Sequence, residues 1–166
     1  MAASTPPSQF SRRRVRLALA HGRAIEGNIH ATEAQSLTVF MATRRYYASL
    51  TEAHWVGDPE DEVPHMAVRV DQILWAQPLD RGLAVSMAQQ ATMKPRRAEI
   101  TMKDGTTLRG SMFIADEQRM TDYVDSAFGF LPLREAVVLP EGEPLGDVAL
   151  NADILLAIRE EEDETD

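Results

Sequence analysis

Four histidines, His21, His30, His54 and His65, are the side chains best suited to hold a metal or carry a proton near neutral pH. Their spacing gives no i, i+4 pair for a helix face and no finger pattern, and the chain has no Cys. No metal site is therefore expected. Asp71 and Asp153 stand near the starts of two apolar segments, but carboxylates so far apart in the chain need not converge. A turn or cap role suits them better than general acid–base work. No Gly-x-Ser-x-Gly, phosphate loop or dinucleotide fingerprint is present. The expectation is a protein that is not an enzyme, with no catalytic residue and no cofactor.

The residues that could recognise something are basic and aromatic. Arg12, Arg13, Arg14 and Arg16 follow Phe10 near the N-terminus, and Arg44-Arg45-Tyr46-Tyr47 follows later. Tyr and Arg serve as interface anchors because they combine large contact area with hydrogen-bonding tips. The bland alternative is that one Tyr fills a core and the arginines are solvated. Trp55 and Trp75 fall in predicted strands and read as core. A net charge of −9 over 166 residues argues against general nucleic-acid binding, whose affinity comes mainly from neutralising phosphates.

The elements that must position these residues are written twice. Ile100–Gly110 (ITMKDGTTLRG) alternates around Asp104-Gly105, a strong hairpin signal, and Gly110 then marks a bend in the returning strand. Leu17–Gly27 repeats it with His21-Gly22 at the turn. A shift of 83 residues places Gly22 on Gly105, Gly27 on Gly110, Leu50 on Leu133, Glu52 on Glu135 and Ala53 on Ala136. Each unit reads as about five short strands. These include alternation at Leu37, Val39 and Met41, and single final strands at 67–76 and 148–158. The expected organisation is a flexible N-terminal arm at 1–14, a first unit at 15–78, a short helix or linker at 79–95, a second unit at 96–159 and an acidic tail at 160–166. An apolar fraction of 44% suffices for a core. With no signal-like or membrane-length apolar run, a soluble, cytoplasmic protein is expected.

Asp104, Gly105, Leu108, Gly110, Phe130, Pro132, Leu133, Leu150, Asn151, Ile154 and Ile158 form a pattern that resembles the Sm-like barrel, and little-characterised bacterial proteins with the same signature. The resemblance implies an all-β chain of two tandem, strongly bent, five-stranded barrels. In that family edge strands pair between subunits, so a covalent duplication would satisfy one pairing internally. The family's uridine pocket is not carried over. Glu33–Leu37 and Asp116–Met120 lack its base-stacking Asn, and Val70–Gln72 and Asn151–Asp153 lack its Arg-Gly element.

The expected function is a non-enzymatic scaffold or accessory subunit that docks onto a larger assembly. Partner contact is assigned to Phe10, Arg12, Arg13, Arg14, Arg44, Arg45, Tyr46 and Tyr47. An extrinsic subunit on the cytoplasmic face of a bacterial membrane complex fits, with a photosynthetic reaction-centre complex as one conceivable host. The alternatives are an RNA-binding or regulatory Sm-like protein, which would use Arg96 and Arg97 as well, and a homo-oligomeric ring.

Overall fold

A computed structural model describes residues 10–86, 93–127 and 129–161. Ten strands run β1 Phe10–Leu19, β2 Ala24–Thr32, β3 Tyr47–Trp55, β4 Val63–Arg69, β5 Ile73–Pro78, β6 Met93–Met102, β7 Thr107–Ala115, β8 Phe130–Leu139, β9 Glu143–Asn151 and β10 Leu155–Glu160. Two short helices, α1 Leu37–Ala42 and α2 Met120–Asp125, join β2 to β3 and β7 to β8. The strands form one sheet in the order β10-β6-β7-β8-β9-β5-β1-β2-β3-β4, and every recorded pairing is antiparallel. The order 5-1-2-3-4 therefore occurs once in each half.

The hairpins form where the alternation and turn residues place them. His21 (φ 62°) and Gly22 (φ 74°) turn β1 into β2, and Gly105 (φ 96°) turns β6 into β7. Asp104 stabilises the second turn by accepting from the Thr106 N–H at 2.9 Å and the Thr106 hydroxyl at 2.7 Å. The bends lie at the repeated glycines. A Cβ on Gly27 would meet the Leu50 Cβ at 2.9 Å, and one on Gly110 would meet the Leu133 Cγ at 2.7 Å. Ladder register shifts at both points, and the facing strands bulge with Glu52 at φ 48° and Glu135 at φ 51°. A left-handed Glu at the same place in both halves is the repeat expressed in backbone geometry.

Several assignments differ from the sequence reading. The segment 37–41 is helical, not extended: Leu37, Phe40 and Met41 are buried at i, i+3 and i+4, and the Ser36 hydroxyl accepts from the Val39 N–H at 3.2 Å. The expected final strands each divide, at Val70–Gln72 and at Ala152–Ile154, so five strands per half is kept with different members. β1 begins at Phe10, so residues 10–14 belong to a strand and not to an arm; residues 1–9 lie outside the described set. Of the expected linker, 79–86 is turn and bend, with Leu83 and Val85 buried, and 93–95 opens β6. Residues 87–92 and most of the acidic tail lie outside the described residues, and Glu160 closes β10.

Neither half closes on itself, and no closed barrel forms among the described residues. β5 pairs instead with β9 of the other half, Trp75 opposite Leu150 and Ala76 opposite Ala149. This joint explains the different burial of equivalent strands. Ile73, Leu74, Trp75 and Ala76 are all buried in β5, whereas Leu156 and Ala157 of β10 are exposed. The two cores also trade members across it. Phe130 and Ala149 pack with the first-half residues Leu17, Leu37 and Leu50, while Ala18, Leu74 and Trp75 pack with Ile100, Leu131 and Leu133. Asn151, 1% exposed, ties the joint: its amide donates to the Val70 carbonyl at 3.1 Å and the Ile73 carbonyl at 2.9 Å.

Candidate functional site

The joint carries an open cavity on each side. The larger, about 610 Å³, lies between the two hairpin turns, which are linked by the His21 N–H donating to the Asp104 carboxylate at 3.2 Å. Its floor is apolar, with Leu74, Trp75 and Leu145, and its rim carries Arg16, Arg23, Glu99 and Glu143, so neither sign of charge prevails. Arg23 stacks over Trp55 at 4.1 Å, and Arg16 donates to Glu26 at 2.8 Å.

The smaller cavity, about 400 Å³, lies where the loops after α1 and β4 face those after α2 and β9. The first half contributes Arg44, Arg45, Tyr46, Arg69 and Asp71; the second contributes Gly129, Asn151 and Asp153 among others. Arg44 lies over the Phe40 ring at 4.5 Å and donates to the Thr43 hydroxyl at 3.2 Å, but its buried Nε–H has no acceptor. Arg45 lies 5.2 Å from the Tyr46 ring centre. Arg69 grips Asp71 with two bonds of 3.0 Å and approaches the Tyr47 ring at 5.9 Å. The Arg69 hydrogen bonds hold the Asp71 carboxyl below its ordinary value and raise the Arg69 guanidinium above its own.

The residues expected to bind a partner thus separate into two groups. Arg44, Arg45 and Tyr46 converge on one cavity, and Tyr47, half exposed, begins the adjoining β3. Phe10, Arg12, Arg13 and Arg14 line β1 instead and are not part of the cavity wall. Arg12 pairs with Glu52 at 3.2 Å and Arg13 with Asp80 at 3.5 Å; Arg14 donates to the Glu52 carbonyl at 2.8 Å. Arg96 and Arg97 are paired too, with Glu160 at 2.7 Å and Glu161 at 3.4 Å. Arg69 has no local sequence signal, and Asn151 stands in the sequence only as part of the barrel-like pattern, not as a site residue. Only the fold brings them beside Arg44.

Two further surfaces are defined by topology. β4 and β10 are the outer strands of the sheet, each with one unpaired side among the described residues. Leu156 on β10 is 67% exposed, and His65, Ala67 and Arg69 on β4 are exposed. Among the described residues no group of three His, Asp or Glu side chains could hold a metal, and no helix is long and apolar enough to cross a membrane. Comparison of the chain with protein-family models, curated proteins and solved structures finds no match.

Proposed function

We propose that this chain is a non-enzymatic assembly subunit made of two tandem Sm-like units, which joins its neighbours through the edges of its sheet. One observation carries the reading. The internal joint pairs a fifth strand, β5, with a fourth strand, β9, and the two outer strands are the remaining one of each kind. An open edge is a template for another strand. The simplest occupant is a second copy, with β4 of one chain against β10 of the next.

Internal equivalence sets the register of that contact. After the β3–β4 and β8–β9 turns the two halves are offset by 82, Ile73 corresponding to Leu155. Trp75 opposite Leu150 then translates to Ala157 opposite Val68, and Ala76 opposite Ala149 to Ile158 opposite Ala67. The outer contact is weaker than the inner one, because the counterpart of Asn151 is Arg69, which is engaged with Asp71. A concentration-dependent or partner-assisted assembly follows from that difference.

Light scattering of the full chain across a wide concentration range tests this. Masses should rise above 18.5 kDa in whole-chain steps, and Leu156→Lys or Ala67→Lys should suppress the rise without unfolding the chain. A monomer at every concentration, together with no stoichiometric partner in a pull-down from membranes, would sink the reading. Salt-sensitive oligonucleotide binding in a filter assay would replace it with the RNA-binding alternative.

A further inference from the structure

We propose that the 400 Å³ cavity at the joint binds a small phosphomonoester whose body carries hydroxyl groups, held through Arg44 and Arg45. Its volume falls in the range of small-molecule sites, about 300–1,000 Å³, and such sites favour the seams between structural units.

Charge bookkeeping within the molecule points to an anion. The chain is acidic, with a net charge of −9, and nine of its fifteen arginines find carboxylates among the described residues: Arg12, Arg13, Arg16, Arg69, Arg96, Arg97, Arg109, Arg134 and Arg159 are each paired. Arg44 and Arg45 have no carboxylate partner among the described residues, although they stand side by side on the cavity wall. The buried Arg44 Nε–H lacks an acceptor, an arrangement that native structures rarely leave uncompensated. A guanidinium fork matches an oxyanion with two parallel bonds. Arg69 does not compete for the role, because Asp71 already occupies its fork.

The rest of the ligand follows from the other wall. At the positions equivalent to Arg44 and Tyr46 the second half has Ala127 and Gly129, which leave room and bring no charge. Asp153, on the same wall, is an acceptor for hydroxyl groups and repels a second anionic centre. A polyanion would meet both Asp153 and the acidic surface, so a compact ligand with one phosphate is favoured over a nucleic acid.

Isothermal titration of the full chain, dilute enough to be monomeric, tests the site independently of assembly. The probes are inorganic phosphate and glycerol phosphate, with chloride at matched ionic strength as the control. Saturable binding of both phosphates is expected, with glycerol phosphate the tighter. Arg44→Gln and Arg45→Gln should each weaken binding about tenfold or more, the value of one charged hydrogen bond. Asp153→Asn should erase the preference for glycerol phosphate while leaving phosphate binding in place. If circular dichroism shows that Arg44→Gln has unfolded, the exposed Arg45 decides the matter. Phosphate heats no different from chloride, or unchanged affinity in the Arg45→Gln chain, would overturn the proposal. So would a short oligonucleotide that binds more tightly than glycerol phosphate and is lost with the same arginines.

Discussion

Removing the amide of Asn151 should loosen the seam between the halves more than any comparable change on a single strand. Its Nδ2 donates to two first-half carbonyls, and its Oδ1 accepts from the Asp153 N–H at 3.1 Å. In Asn151→Ala the two bonds across the joint go, each with a net value of about 0.5–1.5 kcal/mol. The Ile73 carbonyl, bonded in a buried setting, is also left without that donor, which costs about 1–3 kcal/mol more. The sum is about 2–6 kcal/mol. For a chain of this size, 3 kcal/mol is about 6–12 °C in melting temperature. Urea unfolding followed by tryptophan fluorescence is the assay, since Trp75 sits in the joint opposite Leu150. Asn151→Asp adds a sign test. A carboxylate facing two carbonyls is disfavoured, so the folded-state pKa of the new group is raised above its unfolded value. Its deficit against the parent should therefore shrink as pH falls toward that raised pKa and the group protonates. A stability for Asn151→Ala within about 0.5 kcal/mol of the parent, the range of an ordinary surface change, would refute the account of the joint.

Two other perturbations follow from the bends and turns. Gly110→Ala would press a methyl group onto the Leu133 side chain at 2.7 Å and the Arg134 carbonyl at 3.0 Å. It should cost about 1–3 kcal/mol in denaturant unfolding; Gly27→Ala, against Leu50 and Ala53, should behave alike. Burial pushes the Asp104 carboxyl up, but bonds from the Thr106 N–H, the Thr106 hydroxyl and the His21 N–H outweigh it and hold the carboxyl below the ordinary 3.8. Its contribution is therefore complete above that value and is lost as pH falls through the depressed folded pKa. Asp104→Ala should cost about 1 kcal/mol at neutral pH, with a gap to the parent that narrows below pH 3.8.

The hairpins and bends were legible because the residues responsible act locally. Gly27 and Gly110 are required by a close approach, and Glu52 and Glu135 are visible in the sequence at the repeat spacing of 83. The helix α1 was hidden by a coincidence of periods. Leu37 and Met41 face inward in a strand or a helix, so only the intervening residues distinguish the two. A strand would bury Val39 and expose Phe40, whereas the structure exposes Val39 at 46% and buries Phe40 at 3%. The split after β4 gave no signal because Val70-Asp71-Gln72 contains neither Gly nor Pro. The joint was harder still. Ile73–Ala76 and Leu155–Ile158 are both apolar runs, and nothing local says which one another strand will cover. The cavity depends on that choice, since its two walls come from different halves that the β5–β9 pairing brings together.

The exchange of core residues across the joint separates the unit that was copied from the unit that can fold. Each half has lent side chains to its neighbour, Phe130 and Ala149 in one direction and Ala18, Leu74 and Trp75 in the other. Either half expressed alone would have a hole where the borrowed groups sat and an apolar strand facing water. The repeated segment is thus a unit of strand order, while neither copy holds a complete core of its own. Once fused in this way, the copies no longer need to remain interchangeable, and charge can collect on one side of their shared seam.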